Sequence, residues 1–132
     1  MTAGERAWGA ALALTGTRFR LQGRDAATGL DCVGLIVAAY AVAGVRLAAI
    51  DDYPLRGFPL VRALELIAAS GLQPTDRAVV AGDVALFSLP AGQVHFALIA
   101  PGQLVHADAL LRRVVAAPAA RLPQPKARWR CS

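Results

Sequence analysis

The rhythm of apolar positions changes near residue 78. Upstream it is helical. Ala7, Trp8, Ala11 and Leu12 recur at helical spacing behind Thr2-Ala3-Gly4-Glu5, which matches a capping box. A helix is predicted over 3–14, stopped by Gly16. Residues 17–30 are polar and turn-rich, holding Phe19, Gly23 and Gly29, and are predicted as loop. The apolar run Leu35 to Ala43 then predicts a buried helix from Asp31, a suitable N-cap, to a stop at Gly44. Residues 44–57 are irregular, with turn chemistry at Asp51-Asp52-Tyr53-Pro54. Pro59 suits the first position of a short helix with Leu60, Leu64 and Ile67 as its apolar stripe and Gly71 as its end.

From residue 78 the runs shorten to strand length and are separated by turn residues. Ala81-Gly82-Asp83 leads into a strand at 84–87, and Leu89-Pro90-Ala91-Gly92 turns into a second at 94–99. Pro101-Gly102 turns into a third at 103–106, predicted to pair with the second as a hairpin. A fourth is predicted at 111–116. A Pro-spaced loop over 117–126 precedes Arg128-Trp129-Arg130, which is placed as a strand closing the sheet. Helices first and antiparallel strands after make an α+β layout, with the helices packed on one face of a sheet. The length fits one domain, 1–132, and no repeat is visible.

Composition removes several function classes. Hydrophobic residues make up 56% of the chain, yet no apolar run reaches the ~18 residues of a membrane span. Ala7 to Leu14 imitates a signal peptide poorly, having acidic Glu5 before it and no small-x-small cleavage site, so none is expected. The net charge of +5 is nearly all arginine, and those arginines are scattered rather than clustered with aromatics. Nucleic acid is therefore not the expected partner, whereas an anionic cell-wall polymer is favoured. Two cysteines, Cys32 and Cys131, make no disulfide framework. Cys131, beside the last residue, is read as incidental and loosely held.

Cys32 carries the candidate chemistry. It falls in the first turn of the helix begun by Asp31, where unpaired N–H groups and the helix dipole favour a thiolate. The alternative is a small buried hydrophobe. The two histidines, His95 and His106, both fall in the predicted sheet, across a hairpin from one another. With Cys32 they fit a nucleophile, a base and an orienter. Each could equally be a packed or surface histidine. A zinc site of Cys32, His95 and His106, with Asp83 or Asp108 as fourth ligand, competes, although no close ligand pair such as C-x-x-C is present. No metal and no other cofactor is expected.

Gly29-Leu30-Asp31-Cys32-Val33-Gly34-Leu35, Gly82-Asp83-Val84-Ala85-Leu86-Phe87, His95-Phe96-Ala97-Leu98-Ile99 and Val105-His106-Ala107 together resemble the NlpC-type peptidase family. They are most similar to its phage, prophage and gene-transfer-agent branch. The resemblance spans roughly residues 8 to 115. It implies a papain-like α+β fold and a cysteine peptidase cutting peptidoglycan stem peptides between γ-D-glutamyl and a diamino acid; the alternatives are a catalytically marginal tail-tip structural or adaptor protein, and a thiol amidase or acyltransferase on another substrate. Cys32 then resembles the nucleophile, His95 the general base and His106 the polar third residue, with Asp31 and Phe19 as supporting or substrate-binding residues. Gly82-Asp83 resembles a turn into the first core strand, and its role is read as structural. Two positions depart from the family pattern. Val33 stands where many members have Ser, and Phe19 where many have Tyr, with Gln22-Gly23 in place of a Gly pair. The resemblance also implies a setting: synthesis in the cytoplasm and incorporation into a phage-like particle, with phage-tail proteins as partners.

Overall fold

A computed structural model describes residues 1–47, 60–89 and 94–131. The turn residues expected at 51–54, Pro59 and the turn at 90–92 lie outside the described residues. The first helix, α1 (Ala3–Ala13), begins as its sequence predicts. Thr2 accepts from the Glu5 N–H at 3.0 Å, and the Glu5 carboxylate returns the bond to the Thr2 N–H at 3.1 Å. Ala7 and Ala11, both 0% exposed, let α1 lie close against the next helix.

A short hairpin of β1 (Arg24–Asp25) and β2 (Gly29–Leu30) precedes α2 (Cys32–Val42). This hairpin falls inside the stretch read as loop, and two-residue strands leave no alternating pattern to detect. Helix α2 is apolar nearly all round, as a helix enclosed by protein must be. It buries Val33, Gly34, Leu35, Ile36, Ala39 and Tyr40 between α1 and the sheet. Helix α3 (Leu60–Ser70) follows. Of its expected stripe, Ile67 is buried, while Leu64 is exposed.

The sheet holds β3 (Gln73–Pro74), β4 (Asp83–Ser88), β5 (Val94–Ala100), β6 (Gln103–Asp108), β7 (Arg113–Pro118) and β8 (Ala127–Arg130). Their order is β3-β8-β4-β5-β6-β7, and the pairing is antiparallel throughout. The expected closing strand is β8, and it lies inside the sheet, between β3 and β4. The fourth strand is displaced two residues from its expected place, because Asp108 accepts from the N–H groups of Leu110 and Leu111 at 2.9 and 3.0 Å and so makes 109–112 a turn.

Side chains alternate between the two faces of a strand. Val84, Leu86, Phe96, Leu98, Val105, Ala107, Val114 and Trp129 face α1 and α2 in the main core. Ala85, Phe87, Ala97, Ile99 and Leu104 form a second cluster on the opposite face. Two ties hold the helices to the sheet. Tyr40 donates its hydroxyl proton to the Gly82 carbonyl. Gly82 itself has φ +96°, and a Cβ there would overlap the Gly4 backbone at the start of α1, so only glycine fits.

Candidate active site

Asp31 builds the start of α2. It is 3% exposed, and its Oδ1 accepts from the Gly34 N–H at 2.8 Å as an N-cap does. The same carboxylate takes the Gln22 N–H at 2.8 Å and the Arg24 guanidinium at 3.0 Å. It thereby clamps residues 22–24 beneath the helix end. Glycine is required where these segments meet: a Cβ on Gly34 would overlap the Gly23 carbonyl, and one on Gly23 would overlap Gly29. Burial raises the Asp31 pKa, opposed by the Gly34 N–H and by Arg24.

Cys32 is the first residue of α2 and is half-buried. The backbone N–H groups of Phe96 and Val33 hydrogen-bond its sulfur. The contact with Phe96 follows from strand geometry. Strands β5 and β6 are joined by the two-residue turn at 101–102, and their pairing runs only from Ala100↔Gln103 to Leu98↔Val105, although β6 continues along β7 as far as Asp108. In an antiparallel pair alternate residues point their N–H groups at the same neighbour. Phe96 therefore points toward β6, but β6 has diverged, and the Cys32 sulfur takes its place.

His95 and His106 meet at the same divergence. His95 pairs with Phe87 across β4, and His106 lies two residues beyond Leu104, so both belong to the face away from the helices. His95 Nε2 lies 2.7 Å from His106 Nδ1, with the rings edge to face and their centroids 5.0 Å apart. Nε2 of His95 is thus engaged by His106. The rings of His95 and His106 meet on one face of the sheet, and the Cys32 sulfur, packed on the helix side, is held at the N–H of Phe96, the residue next to His95.

The electrostatics correct one expectation. Position at a helix start was expected to favour the thiolate, yet burial, aided by the negative charge of Asp31, pushes the Cys32 thiol up to about 12. Burial likewise pushes His95 down to about 4 and lowers His106, while Asp108 opposes both histidine shifts. Burial thus favours the neutral thiol of Cys32 and the neutral imidazole of His95. The donors aimed at the sulfur are present but do not outweigh desolvation.

The other candidates fall into place. Phe19 packs its ring against the main core, and its N–H donates to the Arg112 carbonyl at 2.9 Å. Asp83 is 0% exposed and meets Arg130 at 2.8 Å and Arg128 at 3.2 Å. Asp108 is occupied by its turn. Asp83 is taken up by its arginines, and among the described residues no group of three or more His, Cys, Asp and Glu is arranged to hold a metal ion. Cys131, expected to be loosely held, is half-buried and packs against the main core beside Tyr40. Strand β8 carries it there. Sequence reasoning missed the Phe96 N–H, since a backbone donor leaves no mark in residue type, and Arg24, whose partner is fixed only by the β1–β2 hairpin. No described helix is long and apolar enough to cross a membrane.

No protein-family model and no curated protein matches the chain. Solved structures do. The NlpC/p60 domain of the peptidoglycan hydrolase SagA is 22% identical, with a TM-score of 0.68 over 97% of this chain and 98% of that one. NlpC2 from Trichomonas vaginalis is 18% identical with a TM-score of 0.72, over 97% of this chain and 48% of that one. RipD from Mycobacterium tuberculosis, described as a non-catalytic NlpC/p60 domain protein adapted to peptidoglycan binding, is 20% identical with a TM-score of 0.61, over 98% of each chain. The chain therefore has the papain-like α+β fold of NlpC/p60 domains, a fold that carries both peptidoglycan hydrolases and a non-catalytic binder.

Proposed function

We propose that the protein is a cysteine endopeptidase that hydrolyses peptidoglycan stem peptides, at the amide between γ-D-glutamyl and a diamino acid. One observation supports the reading: the Cys32 sulfur is held by the Phe96 N–H where β5 and β6 part, one residue along the chain from His95, whose ring contacts His106. The bond and the setting rest on the resemblance of Asp31-Cys32-Val33-Gly34-Leu35 and the two histidine strands to the phage-like branch of the family. That setting is a phage or gene-transfer-agent tail that opens the wall locally.

Neutral partners shape the chemistry. His95 Nδ1 removes the thiol proton as the sulfur attacks the amide carbonyl, so no free thiolate accumulates. The oxyanion accepts from the Cys32 N–H, which as first residue of the helix has no intrahelical carbonyl to bond. The C–N bond breaks as His95 returns the proton to the leaving amine. Water, giving a proton to His95, then attacks the thioester; the C–S bond breaks, His95 returns that proton to the sulfur, and the product acid loses its own proton to solvent as carboxylate. For Nδ1 to act as base, the His95 proton must sit on Nε2 and point at His106 Nδ1, so His106 fixes the useful tautomer.

A second reading is a peptidoglycan binder without turnover. The elevated thiol and the precedent of RipD favour it. Digestion of purified peptidoglycan, with mass analysis of released fragments, separates the two. The peptidase reading expects new termini at the γ-D-glutamyl bond from the native protein and none from Cys32→Ser. Binding without fragments establishes the second reading.

A further inference from the structure

The sheet face that carries the histidines continues past them into a set of arginines. His106 and Asp108 share a face of β6, and Asp108 pairs with Arg113 on β7. Arg113 in turn pairs with Arg18, because residues 16–19 run along the outer edge of β7, with Gly16 N–H on the Val114 carbonyl and Val114 N–H on the Thr17 carbonyl, each at 2.8 Å. Phe19 turns toward the core, so Arg18 and Arg20 turn outward by alternation. Arg18, Arg20, Arg112 and Arg113 are all exposed, and none makes an ion pair among the described residues. Asp108, the carboxylate directly opposite Arg113, spends its Oδ1 on the Leu110 and Leu111 N–H groups. Like charges placed opposite one another across strands are destabilising. The backbone places Arg18 opposite Arg113, on the sheet face that carries His106 and Asp108, and paired guanidiniums are the natural partners of a carboxylate.

We propose that Arg18 and Arg113, supported by Arg20 and Arg112, bind a free carboxylate of a peptide chain lying along the sheet face of His95 and His106. The patch thereby selects stem peptides with unamidated carboxylates. This rests on the peptidase reading for its substrate class, but its test reads binding alone and is independent of turnover.

The test uses Cys32→Ser protein and calorimetric titration with a soluble stem peptide, L-alanyl-γ-D-glutamyl-diamino acid, in free-acid and carboxamide forms. The free acid should bind about tenfold or more tightly than the amide, as expected for charge-assisted pairs. Adding Arg18→Gln and Arg113→Gln should abolish that preference while leaving amide binding unchanged. The double variant should melt at or above the parent temperature, since a repulsion is relieved. Equal binding of acid and amide, a preference that survives both substitutions, or a melting temperature that falls by several degrees would overturn the proposal. So would a short RNA that displaces the free acid and binds more tightly, which would make the patch a nucleic-acid surface. If the preference holds and the native protein cuts nothing, the patch stands and the peptidase reading fails.

Discussion

His95 Nε2 and His106 Nδ1 lie 2.7 Å apart, so one proton is shared between two rings on diverging strands. In the proposed mechanism the two roles are unequal: His95 moves a proton, whereas His106 only accepts a hydrogen bond from it. His95→Asn should lower kcat/KM by about 10²–10⁴-fold, because an amide cannot shuttle a proton. His106→Asn or His106→Gln should retain a measurable share, and His106→Ala should lose more. The check is kcat/KM on one stem-peptide substrate, with melting curves on each variant. Equal loss in His95→Asn and His106→Asn would reverse the assignment.

The displaced ionisations give a pH signature. Burial pushes His95 down to about 4, so it remains a neutral base well below the ordinary histidine range, and kcat/KM should stay level from about pH 5 to 9. With the thiol pushed up to about 12, iodoacetamide should label Cys32 slowly at neutrality, and the rate should climb with pH without a plateau below pH 9. A labelling plateau near pH 6 would reveal a resting ion pair. Stability follows the same signs. The unfolded chain protonates histidine below about 6.5 while folded His95 does not, so stability is lost as pH falls from there toward 4. Above about 8.5 the unfolded Cys32 ionises while the folded thiol does not, so stability also declines on the alkaline side.

Asp83 is a structural anchor. It is fully buried against Arg128 and Arg130, and those arginines also donate to the Arg77 and Ala78 carbonyls. Asp83→Ala should cost about 3–5 kcal/mol in urea unfolding, because breaking a buried pair from one side strands the other charges. A loss under 1 kcal/mol would show the arginines to be satisfied without it.

Gly34→Ala probes the packing under Cys32. Its methyl would overlap the Gly23 carbonyl, and backbone cannot yield as a side chain can. The variant should melt far below the parent or fail to accumulate. Cys131→Ser, by contrast, should cost about 1 kcal/mol for a polar atom placed at the core edge, and leave kcat/KM unchanged. A large activity loss in Cys131→Ser would tie it to the site.

Much of this was legible in the chain because it is local. The capping box at Thr2, the cap at Asp31 and the hairpin between 94–99 and 103–106 depend on residues a few positions apart. The juxtaposition of His95 and His106 followed from that hairpin. What was not legible depends on distant backbone. The place of β8 inside the sheet comes from pairing with β3 and β4 and brings Arg128 and Arg130 onto Asp83, 45 and 47 positions away. The Cys32 ionisation was misread for a related reason. Capping and dipole are read from the helix start alone, but desolvation comes from the strands packed over it.

The most direct test of the central claim is the covalent intermediate. The native protein, mixed with a stem-peptide substrate and quenched in acid within the first turnover, should show by intact mass an added acyl fragment equal to the substrate less its leaving amine. Digestion should place that fragment on the peptide containing Cys32. An acyl group found elsewhere, or hydrolysis that continues undiminished in Cys32→Ser, would contradict the account.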